Sequence, residues 1–247
     1  MDKVKIFDVS VLAGNREELF SAAADMLGEG GAISTVNPEI LYDSITNIEL
    51  RNALMDSLCI PDGVGVEKTI RSVGVFSERF PGVELGEAIL SVFSVRLGII
   101  GGKAGVAERA MKNLSSKYHS VIPTFALSGY DLNEELIKEL LKGDMPDVVF
   151  VCLGSPKQEI FINKIKKFSE KTLFIALGGS VDIYAGDKKR APIVLRRLRC
   201  EWLYRMIKEP VRIKRLPKLI CYNRECRKKR SRDLKMGKIG KKRQKNV

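Results

Sequence analysis

Short apolar runs alternate with amphipathic stretches along the first 195 residues. The apolar runs predict strands at 3–8, 32–36, 57–60, 96–100, 121–126, 147–153 and 172–177. The run VVFVCL at 148–153 is apolar at every position, which is typical of a strand buried on both faces of a parallel sheet. Helical periodicity predicts helices at 15–28, 38–45, 47–56, 83–93, 104–117, 132–142 and 156–169. This alternation predicts an α/β fold, a Rossmann-like and mostly parallel sheet with helices on both faces.

The C-terminal residues follow a different pattern. Within 195–209, the apolar positions share one helical face: Leu195, Leu198, Trp202, Met206 and Ile207. Pro210 then interrupts the helix, and a second apolar face with basic neighbours follows around Leu219. We therefore expect a core over 1–195 and a basic, amphipathic helical appendage over 196–226. Residues 227–247 lack a core pattern, and we expect them to be disordered.

Charge divides the chain in the same way. Residues 1–195 hold 22 Lys+Arg and 26 Asp+Glu, whereas residues 196–247 hold 21 Lys+Arg and 4 Asp+Glu. A near-neutral body with a strongly basic tail is expected to meet an anionic partner, either nucleic acid or an acidic membrane surface. The start of the chain is too polar for a signal peptide, and no apolar run approaches the ~20 residues that span a bilayer. We therefore expect a cytoplasmic protein whose membrane contact is peripheral.

Residues that usually bind metals or act as nucleophiles are sparse. The five cysteines form no C-x-x-C pair, and the single His119 lies away from every glycine-rich turn. A zinc site and Ser–His or Cys–His catalysis therefore lack support. The chain also has no Asp-x-Asp pair, the kind of paired carboxylates with which nucleotide-sugar enzymes usually hold Mg²⁺ or Mn²⁺. We expect no metal and no cofactor.

Four turns that follow predicted strands carry glycine and polar residues. Ligands of open α/β sheets bind beyond the carboxyl ends of the strands, where these turns are expected to cluster. The candidate binding positions are Thr35, Asn37, Asp62, Gly101, Gly102, Lys103, Gly154, Pro156, Lys157, Gln158, Glu159, Gly178, Gly179, Asp182 and Arg190.

Each turn also has an ordinary structural interpretation. The turn at 101–105 opens a helix and can hold a phosphate, but it is also explained as a tight turn with a surface lysine. It matches neither the dinucleotide fingerprint nor the P-loop. The turn at 154–159 can be a capped helix start, and Arg190 can be a solvated loop residue. Asp62 lies in Pro-Asp-Gly, which is ordinarily a turn.

Seven segments, taken in order, resemble the WecG/TagA/CpsF family of glycosyltransferases. They are TVNPEIL (35–41), IPDGVGV (60–66), SERFPG (77–82), IIGGKAGVAERA (99–110), PDVVFVCLGSPKQE (146–159), LGGSVDIYAGDKKRAP (177–192) and EWLYRMIKEPVRIKR (201–215). Each segment is weak alone, but seven in the right order over about residues 5–220 are specific.

The resemblance implies an inverting, metal-independent enzyme of teichoic acid, enterobacterial common antigen or capsule synthesis. It would move a sugar, first of all N-acetylmannosamine, from a UDP-sugar to GlcNAc on undecaprenyl diphosphate. The family's P-D-G motif makes Asp62 the expected catalytic base, and its T-x-N motif makes Thr35 and Asn37 pocket residues. The basic appendage is implicated in docking at the membrane and in completing the active site.

The mechanism we expect follows from these roles. Asp62 takes a proton from the acceptor hydroxyl, so its pKa should be raised from the ordinary ~3.9 toward the working pH by burial or neighbours. The departing UDP carries negative charge, which helix N-termini, glycine-loop amides and arginines would meet. The arginines expected to contribute to substrate binding are Arg79, Arg190, Arg212 and Arg215.

Two rival functions stay open at this point. A nucleic-acid-binding protein would use the basic tail, although few aromatic residues are interleaved with its charges. An NAD-dependent oxidoreductase would use the α/β body, although it lacks the glycine fingerprint. The donor sugar, the acceptor, the pathway and the oligomeric state also stay open, a homo-oligomer being one alternative.

Overall fold

Eight strands form one sheet in the part of the chain that the structure, a computed structural model, describes. That part comprises residues 1–130, 132–142, 145–198 and 200–244, without the side chains of Arg205, Val211, Arg212 and 232–244. The strands are β1 (Asp2–Ile6), β2 (Val9–Ala13), β3 (Gly31–Val36), β4 (Leu58–Pro61), β5 (Val95–Gly101), β6 (Val121–Leu127), β7 (Val148–Cys152) and β8 (Leu173–Ala176).

The sheet is parallel except at one edge. Its strand order is β1-β2-β4-β3-β8-β7-β5-β6, and only β1 and β2 pair antiparallel. The carboxyl ends of β4, β3, β8 and β7 therefore lie side by side at one edge of the sheet. The predicted fold class, a mostly parallel α/β sheet, is confirmed.

Helices connect the strands and continue beyond the last one. They are α1 (Arg16–Ala24), α2 (Pro38–Asp43), α3 (Ile48–Met55), α4 (Val64–Ser72), α5 (Gly82–Val92), α6 (Val106–Lys117), α7 (Glu134–Lys142), α8 (Lys157–Ile165), α9 (Ser180–Tyr184), α10 (Ile193–Arg197), α11 (Glu201–Lys208) and α12 (Leu216–Gln244). Short 3₁₀ helices span Lys166–Phe168 and Pro210–Arg215.

Alternating strand residues pack the two faces of the sheet. In β7, Val148 and Phe150 join a core with side chains of α5, α6 and α9, whereas Val149 and Val151 join a core with side chains of α7 and α8. Because both faces are covered by helices, every residue of β7 is buried. This explains why its sequence is apolar throughout.

Local signals set several helix starts. Asn15 accepts a hydrogen bond from the backbone N–H of Glu18, and Glu18 accepts one from the backbone N–H of Asn15, so α1 begins with a capping box. The predicted start of this helix is confirmed. Its end was placed too late, because α1 stops at Ala24 and Gly28 lies beyond it in a turn.

The N-terminal strand differs from the prediction. The run at 3–8 was expected to be one strand, but the chain reverses at Phe7 and Asp8 and returns as β2. Both turn residues have positive φ, 47° for Phe7 and 71° for Asp8. Two-residue hairpin turns of this kind usually carry Asn or Gly, so a Phe-Asp turn gives little warning in the sequence.

Residues 193–231, which begin at α10, are called the C-terminal arm. The helix predicted at 195–209 is divided into α10 and α11, and it ends before Pro210 as expected. The chain continues as α12 to Gln244, and the expected disorder of 227–247 and the domain limits at 195 and 226 stay predictions. Among the described residues, no helix is both long and apolar enough to cross a bilayer.

Candidate active site

A cleft of about 990 Å³ opens at the carboxyl ends of β4, β3, β8 and β7. The core side of its lining includes Thr35, Asn37, Asp62, Gly82, Gly154, Ser155, Gln158, Gly178, Gly179 and Ser180. The C-terminal arm contributes Tyr204, Lys208, Glu209, Arg215 and Lys218. The cleft therefore lies where ligands of open α/β sheets bind, and the arm forms part of its wall.

Thr35 fixes the floor of the cleft. Its hydroxyl donates a buried 2.9 Å hydrogen bond to the carbonyl oxygen of Ala176, which ties β3 to β8. The start of α5 lies directly above, because a Cβ on Gly82 would approach the Thr35 hydroxyl to 2.8 Å. A glycine at position 82 is thus required for this close approach of helix and strand.

Asn37 and Asp62 lie at the starts of two helices. The Asn37 side chain caps α2 by accepting hydrogen bonds from the N–H groups of Glu39 and Ile40 at 2.9 and 3.1 Å. Half-buried Asp62 follows β4, and its N–H donates a 2.9 Å hydrogen bond to the carbonyl of Val36. This bond holds the turn of Asp62 against the end of the neighbouring strand, beside Asn37.

Gln158 joins the two glycine turns. Its buried amide oxygen accepts hydrogen bonds from the N–H groups of Gly154 and Gly178, at 3.1 and 2.9 Å. We expected the amides of the 178–180 turn to meet the donor's phosphates. Two of them have other acceptors, since the N–H of Ser180 also donates, to the carbonyl of Leu177.

Glu159 supports this junction from below. The Gln158 amide nitrogen donates a 2.9 Å hydrogen bond to its carboxyl. Burial raises the pKa of Glu159, although the hydrogen bond from Gln158 acts in the opposite direction. Glu159 lies beneath the lining of the cleft, so its contribution passes through Gln158.

Paired charges line the mouth of the cleft. Lys188 contacts Asp182 at 2.9 Å and Glu209 of the arm at 3.4 Å, and the hydrogen bond to Asp182 raises the pKa of Lys188. From the arm, Lys218 contacts Asp43 of α2 at 2.7 Å. Both lysines can exchange their carboxylate partners for phosphate oxygens.

The structure brings about half of the predicted site residues to the cleft. Those that line it are Thr35, Asn37, Asp62, Gly154, Gln158, Gly178, Gly179 and Arg215. Those outside the lining are Arg79, Gly101, Gly102, Lys103, Pro156, Lys157, Glu159, Asp182 and Arg190. Arg212 was also predicted, but its side chain lies outside the described residues.

Arg190 and Arg79 contact carboxylates beside the cleft. Arg190 donates a 2.7 Å hydrogen bond to Glu84, and Arg79 lies 3.9 Å from Glu201 of the arm. Burial alone would raise the pKa of Glu84, but hydrogen bonds from Arg190 and Arg16 outweigh it and hold that pKa below its usual value. The expectation that Arg190 meets phosphate stays a prediction. In the structure Arg190 and Arg79 both lie within 4.0 Å of Glu201, and these contacts join the core to the arm.

Several lining residues were missed in the sequence. They are Glu39, Asp43, Ser155, Lys188, Lys189, Tyr204, Lys208, Glu209 and Lys218. The charge count identified the arm as basic, but it could not tell which cations face the core. Helical spacing offered one usable signal. Lys218 lies four residues before Tyr222, an aromatic residue that the structure buries completely, so both side chains are expected on the face of the helix that meets the core.

The comparison with known proteins identifies the family of this chain. The model of the glycosyl transferase WecG/TagA/CpsF family matches residues 4–233. The chain belongs to this family. A WecG/TagA/CpsF relative of Bacillus subtilis (strain 168), named N-acetylglucosaminyldiphosphoundecaprenol N-acetyl-beta-D-mannosaminyltransferase, is 35% identical over 192 residues, 76% of this chain and 75% of its own. A relative of the same name from Staphylococcus aureus (strain MW2) is 35% identical over 191 residues, 74% of each chain.

Membership of the WecG/TagA/CpsF family makes this chain a glycosyltransferase. The matched span includes both the α/β core and the arm, so all residues that line the cleft lie within it. The two rival interpretations, nucleic-acid binding and NAD-dependent oxidoreduction, receive no support from these relatives.

Proposed function

We propose that this glycosyltransferase moves N-acetylmannosamine from its UDP-linked form to GlcNAc on undecaprenyl diphosphate. The resulting lipid-linked disaccharide would serve the synthesis of a cell-wall polymer such as teichoic acid. The observation that carries the proposal is the cleft itself, which combines a half-buried carboxylate, Asp62, with lysine and arginine side chains that pair with carboxylates at its mouth. The names of the relatives supply the sugar and the acceptor.

Asp62 is the proposed general base. It would accept the proton of the acceptor hydroxyl while that oxygen attacks the anomeric carbon from the face opposite the departing UDP. The new C–O bond forms as the bond between the sugar and UDP breaks, so the configuration of the carbon inverts. Support comes from the position of Asp62 at a strand's carboxyl end, and from its anchoring to Val36 at 2.9 Å.

The leaving group and the lipid-linked acceptor both carry a diphosphate. Three of the basic residues that line the cleft form ion pairs there: Lys188 beside α9, and Arg215 and Lys218 on the arm. Arg215 lies 3.5 Å from Glu39, so each of the three has a carboxylate partner in the structure. A diphosphate would compete with those carboxylates, and cations that stabilise charge on a departing oxygen accelerate transfer.

The arm also suggests where the reaction takes place. Its side chains Trp202, Ile207 and Ile220 are between 51% and 70% exposed, and the arm is rich in basic residues. Apolar side chains with basic neighbours bind the interface of an anionic membrane, where Lys and Arg each contribute roughly 1 kcal/mol. We infer that the enzyme works as a peripheral protein on the cytoplasmic face of the membrane, where a polyprenyl-linked acceptor resides.

One assay tests the proposal directly. Purified protein is incubated with a short-chain lipid diphosphate–GlcNAc acceptor and a panel of UDP-sugars, and product is separated by chromatography and weighed by mass spectrometry. We expect a product larger by one N-acetylhexosamine with UDP-N-acetylmannosamine, and release of UDP. Transfer of another sugar would correct the donor, and no transfer from any UDP-sugar would refute the proposal.

A further inference from the structure

The hairpin turn between β1 and β2 holds a bulky residue in an unfavourable conformation. Phe7 has a φ of 47°, in the left-handed region that aromatic side chains rarely occupy. Strain of this kind persists where the surrounding structure needs it, and it is often found at functional sites. The neighbouring contacts show what the strained position provides.

Phe7 presents its ring to the C-terminal arm. The rings of Phe7 and Tyr222 meet edge to face, with centroids 5.7 Å apart and planes at 89°. Tyr222 belongs to α12, yet it is fully buried and packs in the same core cluster as the strand residues Val9 and Val11. Its neighbour one turn later, Cys226, packs against that cluster as well.

Tyr222 also reaches the two helices that begin at the cleft. Its hydroxyl donates a 3.0 Å hydrogen bond to Thr69 of α4, and Thr69 donates one of 3.0 Å to the carbonyl of Gly65. The start of α4 packs tightly on the start of α2, since a Cβ on Gly65 would come within 2.6 Å of the Pro38 ring. Pro38 follows Asn37 directly in the sequence. Tyr222 therefore contacts α4, which packs on the start of α2 at the edge of the cleft.

Two cationic residues of the arm lie close to Tyr222 in the sequence. Lys218 precedes it by four residues on α12, so these two side chains lie on the same side of the helix. Arg215 is the last residue of the 3₁₀ helix that leads into α12. Lys218 contacts Asp43 and Arg215 contacts Glu39, both on α2. A change in how Tyr222 is seated would therefore move both cations at the mouth of the cleft.

We propose that Phe7 and Tyr222 form an anchor that fixes the C-terminal arm on the core and so positions Lys218 and Arg215 for the diphosphate of a substrate. The proposal rests on the proposed function for its catalytic consequence. Phe7 and Tyr222 are positioning residues, because they act through the arm and touch no substrate. The strained turn is explained by the ring contact that it provides.

Phe7→Gly is the most informative variant. Glycine adopts positive φ without strain, so the hairpin keeps its turn while the ring that meets Tyr222 is removed. We expect trypsin to cleave the basic arm at least about tenfold faster than in the wild type. We also expect kcat/KM for transfer to fall about tenfold or more, mainly through a higher KM for a diphosphate substrate, while the core stays folded at the assay temperature.

Tyr222→Ala and the double variant complete the experiment. Once the arm is released, the second substitution has nothing further to release, so the double variant should lose no more activity than Tyr222→Ala alone. Tyr130→Ala, at a tyrosine that is 74% exposed, serves as the matched control and should behave like the wild type. If Tyr222→Ala does not fold, Phe7→Gly decides the question by itself.

The outcomes separate the anchor from the function. Phe7→Gly with the arm cleavage rate and kcat/KM of the wild type would overturn the anchor while the transferase assignment stands. Accelerated cleavage with unchanged kinetics would show that the two rings hold the arm but would overturn their role in positioning Lys218 and Arg215. If the wild type transfers no sugar, the proposed function fails, and the cleavage rates still decide whether the two rings hold the arm.

Discussion

The side-chain amide of Gln158 donates a 2.9 Å hydrogen bond to the carboxyl of Glu159, and both side chains are almost completely buried. Because this bond uses the amide nitrogen, the amide oxygen must face the two glycine turns, where it accepts from Gly154 and Gly178. A buried carboxyl that never reaches the cleft therefore sets the orientation of a residue that lines it.

The carboxyl of Glu159 should make stability fall as the pH rises. Its pKa is raised by burial, so between the ordinary value of about 4.3 and the raised value the folded protein binds more protons than the unfolded chain. Glu159→Gln still accepts the bond from Gln158 and carries no charge. We expect it to raise the melting temperature at pH 8 more than at pH 4, as measured by thermal unfolding.

Glu29→Gln is the control for that experiment, because Glu29 is exposed. It should leave the pH profile of the melting temperature unchanged. A Glu159→Gln protein with the same profile as the wild type would show that Glu159 is charged in the folded state at little cost.

Removing Gln158 should disturb both glycine turns. Gln158→Ala deprives the N–H groups of Gly154 and Gly178 of their acceptor, which costs about 1–3 kcal/mol for each N–H that stays buried. We expect lower stability in urea and a fall in kcat/KM of about 10²-fold, since small displacements at an active site cost that much.

A swapped pair provides the rescue. In the double variant Gln158→Glu/Glu159→Gln, position 158 can still accept from both turns, and position 159 can supply the N–H donor. We expect it to recover more stability and activity than Gln158→Glu alone. Equal losses in the single and double variants would mean that the hydrogen bond between the two side chains does not orient Gln158.

The strand pattern of the core could be predicted because its cause is local. Each buried parallel strand needs an apolar run, and all seven predicted runs became strands. The second strand of the hairpin was missed because its turn uses Phe7 and Asp8, residues with no strong turn signal. Helix α4 was missed as well, since its first residues VGV follow a glycine and look like the end of a turn.

The candidate site was predictable only where it follows directly from the strand ends. Asp62 and Asn37 could be placed at the cleft because each follows an apolar run, and the turns of neighbouring parallel strands meet at one edge. Their expected roles came from the family resemblance, since Pro-Asp-Gly alone is ordinarily a turn. Two other contacts could not be predicted: the hydrogen bond from the N–H of Gly178 to Gln158, and the ion pair of Arg190 with Glu84. Both depend on side chains that are distant in the sequence. Long-range partners of this kind leave no periodic signal.

Asp62→Asn should separate catalysis from binding. The amide has the size of the carboxyl but cannot accept the acceptor's proton, so we expect transfer to fall by at least about 10³-fold. UDP binding, measured by calorimetry, should stay close to the wild type. Asp25→Asn, at an exposed aspartate on the surface of the core, should change neither quantity; near-normal transfer by Asp62→Asn would eliminate Asp62 as the base.

Glu84 should stabilise the junction of core and arm at neutral pH. It contacts Arg16 at 2.6 Å, Arg190 at 2.7 Å and Arg196 of the arm at 3.6 Å. We expect Glu84→Gln to lower the free energy of unfolding by about 1.5–3 kcal/mol at pH 7, the usual range for hydrogen bonds to charged groups. Urea unfolding measures this difference.

The sign of its pH dependence follows from the pKa of Glu84, which lies below the ordinary value. The stabilisation is complete above about pH 4.3 and is lost as the pH falls through the lowered pKa, so wild type and Glu84→Gln should converge in acid. Glu87→Gln is the matched control one turn along α5, where the partner is the half-exposed Lys117. A difference that persists unchanged at low pH would contradict the assignment to charge.

Membrane binding by the arm should depend on both apolar and basic side chains. Trp202 is 51% and Ile207 70% exposed, so at least half of each side chain is not packed against the core. We expect the protein to sediment with vesicles of phosphatidylglycerol and phosphatidylcholine, and less with vesicles of phosphatidylcholine alone. Binding should also fall as the salt concentration rises, because screening weakens the attraction of Lys and Arg to anionic lipid.

The double variant Trp202→Ser/Ile207→Ser should weaken vesicle binding at least about tenfold, since each side chain contributes through buried apolar area. Ile48→Ser is the control, because Ile48 is 61% exposed on the surface of the α/β core and lies outside the arm. It should bind vesicles like the wild type. Equal binding by all of these proteins would show that the exposed apolar residues of the arm serve another purpose.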